Sequence, residues 1–237
     1  MKTRLLTAAQ KLSHWMVPLA AIAIVAAFFS IAPPGMWGKI DAVGYAVCHQ
    51  LPERSFHVDG QRLPLCARCS GMYLGAVLGI AYLTLTQPRR AGMPPKAVIA
   101  LLAVFGLAFA VDGGNSYLYL MKQTSGGRLD FIPNLYTPNN TLRLFTGTGV
   151  GLALAVAVFL SFNQTIWNDW KDKPILGSWK DVGILTSLAV GMVLLTLTEW
   201  DVVLYPAAFL SAGGVLLLLT MVYSMLWAML MRQDNAY

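Results

Sequence analysis

Charge is absent from four long stretches of this 237-residue chain: Trp15 to Gly38, Ser70 to Gln87, Leu144 to Asn168 and Val202 to Met231. Each holds most or all of the roughly 20-residue helix that crosses about 30 Å of hydrocarbon. Only 12% of the residues are charged and 57% are hydrophobic, whereas about a quarter of a soluble domain is charged. An ordinary cytoplasmic enzyme, a disordered chain and a nucleic-acid module on a basic surface are thereby excluded.

Read together with the charge-poor stretches between them and with the Pro and Gly punctuation, these four stretches give six predicted helices: 13–32, 69–87, 96–116 or longer, 143–163, 181–200 and 206–230. The expected fold is all-α, a single transmembrane domain over 1–237 built as an integral membrane bundle of six helices. In the third helix Asp112 is followed by Gly113 and Gly114, so that span either ends there or continues through a loosened turn. The first span reads as a retained anchor, because its apolar run is long and no small-residue cleavage site stands out before Pro33.

Six spans put both termini on one side, and the distribution of basic residues selects it. With the termini cytoplasmic, that face carries Lys2, Arg4, Lys11, Arg89, Arg90, Lys96, Lys171, Lys173, Lys180 and Arg232 against Asp169, Asp172, Asp181 and Asp234. The opposite face is balanced, so the net charge of +6 is a signal of orientation in a cell membrane. Nucleic acid is not an expected partner; membrane lipids are. Residues 33–68 become an outer loop, and another outer loop spans about 117–142. Gly71, Gly75 and Gly79, and likewise Gly147 and Gly151, recur every fourth residue, offering side-chain-free stripes for close helix approach.

All three cysteines lie within 22 residues, two in the 33–68 outer loop and Cys69 at the start of the helix that follows it. Cys66 and Cys69 are spaced to send both sulfurs to one tetrahedral ion, and a hairpin back to Cys48 with His57 or His49 would complete a Cys3His zinc set. His57 is the better fourth ligand if Gln61 to Pro64 forms a turn. The same pair at a helix start, with Arg68 between the thiols, also suits thiol-disulfide exchange relayed through Cys48 and linked to a quinone. A structural disulfide with one buried thiol is the third reading. Covalent haem is disfavoured because Ser70, not histidine, follows Cys69.

Cys48, His49 and Gln50 with Arg54 and Ser55, followed by Cys66, Ala67, Arg68, Cys69, Ser70 and Gly71 with Tyr73 and Gly75, resemble the signature of a family of small prokaryotic membrane proteins known only as a domain of unknown function. The resemblance extends over about residues 40–155, with Asp112 and Gly113 as a second block and Asn140, Arg143, Thr146 and Gly147 as a third. It implies that the blocks form one site and assigns no activity. Where that family tends to continue with glutamine after the Asp-Gly pair, this chain has Gly114, Asn115 and Ser116.

Topology sets these blocks at one height on the outer face. An acid buried alone there is costly, so Asp112 is expected to pair with Arg143, Arg68 or Arg54, or to ligate an ion. A layer of Arg54, Arg68, Asp112, Asn140 and Arg143 above an apolar body suits an anionic lipid headgroup, a small anion or a quinone ring. His14, beside Trp15, reads as an interfacial residue. Nucleotide-binding and zincin motifs are missing.

Overall fold

The computed structural model describes residues 2–126, 129 and 131–236, without the side chains of 2–15 and 17, so the reading of His14 lies outside the described residues. Helices are α1 (Lys2–Ile31), α2 (Gly35–Tyr45), α3 (Ala67–Thr86), α4 (Lys96–Thr124), α5 (Asn140–Ile166), α6 (Trp179–Thr196) and α7 (Asp201–Leu230). The fold is all-α, and α3 through α7 are each long and apolar enough to cross a membrane. The described part of α1 and helix α2 pass the same test only as a pair bent by 113° at Pro33–Pro34, where two prolines deprive the chain of backbone donors.

Helix α4 shows why this is a membrane fold. Among its described residues it buries Val98, Asp112, Asn115 and Ser116, while Val104 and Leu107 stand more than half exposed. Its polar face is inside and its apolar face is outside, a pattern that is stable only where the surroundings are hydrocarbon. The helix continues unbroken through Gly113 and Gly114 to Thr124, which selects continuation over termination for the third span.

The bundle is centred on α3 and α5, which pack along their length, with α7 against both and α4 against α5. The glycine stripes set the spacing. A Cβ at Gly147 would stand 2.2 Å from the Arg68 carbonyl oxygen, one at Gly151 2.1 Å from that of Met72, and one at Gly75 2.5 Å from that of Thr148. Backbone therefore meets backbone, as expected from the four-residue repeat.

The stretch 33–68 is more structured than a loop. Helix α2 packs on α7, and a hairpin follows, β1 (His57–Val58) paired antiparallel with β2 (Gln61–Arg62). Its turn is Asp59–Gly60, with φ of 48° and 74°, not Gln61 to Pro64. An Asp-Gly pair accepts positive φ at both positions and matches the twist of the strands. The opposite end of the bundle is tied by β3 (Arg90–Gly92) and β4 (Lys171–Pro174), a short parallel pair, beside which Arg89 pairs with Asp169 and lies over Trp167.

Candidate metal centre and polar layer

Cys66 occupies the cap position before α3, and Cys69 lies one turn on, so the two sulfurs share a helix face. The chain returns to them through Gln50, whose φ of 50° turns the backbone sharply after Cys48. The Gln50 side chain locks that return: Nε2 donates to the Pro64 carbonyl at 2.8 Å and to the Asp41 carbonyl at 3.0 Å, and Oε1 accepts from Arg62 at 3.0 Å. Arg62 in turn pairs with Asp41 at 3.0 Å. Gly44 makes room, because a Cβ there would stand 2.1 Å from the Pro64 oxygen.

The result is a cluster of the Cys48, Cys66 and Cys69 sulfurs, all within 4.8 Å of one another and none in a disulfide. Leu65 and Val215 wall it off. The Cys48 sulfur accepts from the backbone N–H of Cys66 at 3.3 Å and of Gln50 at 3.4 Å. Hydrogen bonds from the Cys66 and Cys69 thiols, followed by those two N–H groups, hold Cys48 well below the usual thiol range despite its burial. Sharing that hydrogen bond with Cys48 pushes the Cys66 thiol up. Negative charge thus resides first on Cys48, the sulfur with backbone donors aimed at it.

Neither imidazole joins the sulfurs. His57 lies on the exposed side of β1 while its neighbour Val58 is buried, the alternation a strand imposes. His49 is also exposed, leaving the buried positions beside it to Cys48 and Gln50.

Arg68, between the two α3 cysteines, points to α4 instead. Its Nε and Nη2 donate to the Asp112 carboxylate at 3.0 and 2.5 Å, and Nη2 also donates to Ser116 Oγ at 2.8 Å. Of the three arginines the sequence offered as partners, Arg68 is the one that pairs. Tyr136 donates to the other carboxylate oxygen at 2.7 Å, and Thr146 Oγ1 lies 3.3 Å from Oδ2. Burial first, then the bond to Asp112, push the Tyr136 phenol up to about 12, so it is a donor at neutral pH. Asn115 fixes the loop carrying Tyr136: its Nδ2 donates to the Tyr136 carbonyl at 2.9 Å, and its Oδ1 accepts from the Leu135 N–H at 2.9 Å. The amide side chain thus follows Asp112 at a distance of three residues, on the same helix face.

Arg143, at the start of α5, is buried and donates through Nη1 to Asn140 Oδ1 at 2.8 Å. Arg54 is half-buried, and its charge and that of Arg68 reach Arg143.

Residues 48–157 match the family described as Predicted membrane protein (DUF2085). An uncharacterised protein of Methanocaldococcus jannaschii is 36% identical over 93 residues, covering 36% of this chain and 56% of that protein. An uncharacterised protein of Methanothermobacter thermautotrophicus is 33% identical over 101 residues, covering 43% of this chain and 74% of that protein. The chain belongs to this family.

The chain spans little more than half the length of the Methanocaldococcus relative. No solved structure matches it. The DUF2085 match begins at Cys48 and ends within α5, so it contains the cysteines, the Arg68–Asp112 pair, Tyr136 and Arg143. Helices α1, α2, α6 and α7 lie outside it. The agreement with the sequence resemblance over about 40–155 is close.

Asp41, Arg62 and Tyr136 were not singled out by the sequence. Recognition of the Asp59–Gly60 turn would have set Arg62 opposite His57 and hence beside Gln50. Nothing local marks Tyr136, whose role depends on a loop folding back over α4.

Proposed function

We propose that this DUF2085 protein is a six-span protein of the cell membrane, with cytoplasmic termini, whose outer face carries a metal centre on Cys48, Cys66 and Cys69. The observation that carries this reading is the convergence of three sulfurs within 4.8 Å. Sulfur corners about 4 Å apart surround one ion at metal–sulfur distances of about 2.3 Å. Three soft thiolates suit zinc, and a site of three protein ligands resembles catalytic rather than structural centres, whose fourth position takes water or substrate. The backbone donors on Cys48 play the supporting part that outer partners play around metal ligands. The Asp112–Arg68 pair closes the neighbouring side of the layer.

Metal analysis of the full-length protein, purified in detergent without chelator, should find near-stoichiometric metal that is lost in Cys66→Ser. Metal-free protein bearing a Cys66–Cys69 disulfide would overturn this reading and transfer the site to thiol exchange, with Cys48 as the relay thiol.

A further inference from the structure

The cysteine cluster and the Asp112 pair leave one buried charge unused. Arg143 is only 6% exposed, its Nε has no hydrogen-bond partner, and no carboxylate pairs with it among the described residues. Asp112 already receives Arg68 and Tyr136. Arg54 and Arg68 both lie near enough to Arg143 for their charges to act on it, and Asp112 is the one carboxylate that does so with them. A zinc ion on three thiolates would add one net negative charge, and the layer would still be positive. Burying an arginine without a counter-charge is costly in a membrane protein, and a guanidinium fork fits a phosphate oxygen pair.

Directly below this layer, α4 and α6 flank α5 without packing closely on each other. The apolar cleft between them has a volume of about 260 Å³ and is lined by Phe105, Ala108, Phe145, Gly149, Val190 and Val193. Thr146 also lines it, and the same Thr146 touches Asp112. One helical turn separates Thr146 from Arg143. A positive polar layer one turn above a lateral apolar cleft matches an amphiphile with an anionic head.

We propose that Arg143, with Arg54 and Arg68, binds the phosphate headgroup of an anionic membrane lipid whose apolar chain lies in the α4–α5–α6 cleft. The head neutralises the arginines at the outer end of the bundle, and the tail fills the cleft that opens sideways to the bilayer. This proposal is independent of the metal centre.

The test is native mass spectrometry of the full-length protein, offered phosphatidylglycerol, phosphatidylcholine or inorganic phosphate. The wild type should retain phosphatidylglycerol in preference to phosphatidylcholine, and Arg143→Gln should lose about tenfold in retention, the effect of about 1.4 kcal/mol in a charge-assisted contact. Ala108→Phe, which fills the exposed cleft, should weaken phosphatidylglycerol retention without changing phosphate binding. Chelation of metal should leave the lipid bound. Phosphatidylglycerol retained fully by a folded Arg143→Gln protein would overturn the proposal. Should that variant misfold, undiminished retention by Arg54→Gln, at a half-exposed position, overturns it equally. Inorganic phosphate competing on equal terms, with Ala108→Phe silent, would replace the lipid with a free oxyanion.

Discussion

Asp112 is 1% exposed, and its cost is met by Arg68, Tyr136 and Thr146 on three separate segments. Removing Arg68 leaves a buried carboxylate without its counter-charge, which costs about 3–5 kcal/mol. Removing the Tyr136 hydroxyl forfeits one hydrogen bond to a charged group, about 1.5–3 kcal/mol. Thermal unfolding in detergent should therefore rank Arg68→Ala below Tyr136→Phe, and equal losses would show that the carboxylate is not held by charge. The phenol pKa is raised to about 12, so its contribution is complete below the ordinary value of about 10 and fades as pH rises through about 12. At this scale the sequence named Asp112 and its three possible partners, while Tyr136 carried no local mark. Pairing depends on which way a side chain leaves its helix, and Arg68 leaves α3 toward Asp112 and Ser116 on α4.

Helix α3 meets α5 through glycine, and the stripe was legible because a four-residue repeat is a property of one helix alone. A methyl group at Gly147 would meet backbone at 2.2 Å, where no side chain can rotate away. Gly147→Ala should cost about 1–3 kcal/mol, the usual penalty of overpacking. A Cβ at Gly106 would meet no atom of another segment within 4 Å, so Gly106→Ala should be neutral or slightly stabilising. Matched losses for the two variants, in unfolding or in detergent gel filtration, would contradict a backbone-contact role for the stripe. Helix α2 and the hairpin were less legible. Short elements have few residues to show a period, and the Asp59–Gly60 turn is recognised by residue type rather than by hydropathy.

Orientation belongs to the whole molecule. Ten of the basic residues fall on the face assigned to the cytoplasm, and basic loops resist translocation. A fluorescent protein fused to either terminus should fluoresce, and alkaline phosphatase at the same positions should be inactive. Active phosphatase at one terminus alone would give an odd number of spans and remove α1 from the crossing set. The sequence by itself determined that the chain is a bundle of apolar helices, where most of them run, and which polar blocks gather at one end of it. These are consequences of charge spacing and helical period, both local along the chain. Only the tertiary structure decided that Cys48 reaches Cys66 and Cys69, that the two imidazoles stay outside, and that Arg68 rather than Arg143 takes Asp112. Cys48 is brought in by the turn at Gln50 and its bonds to Pro64 and Asp41, His57 is kept out by the way β1 packs, and Arg68 takes Asp112 by reaching from α3 to α4. Each is a contact between segments distant in sequence, which no single segment encodes.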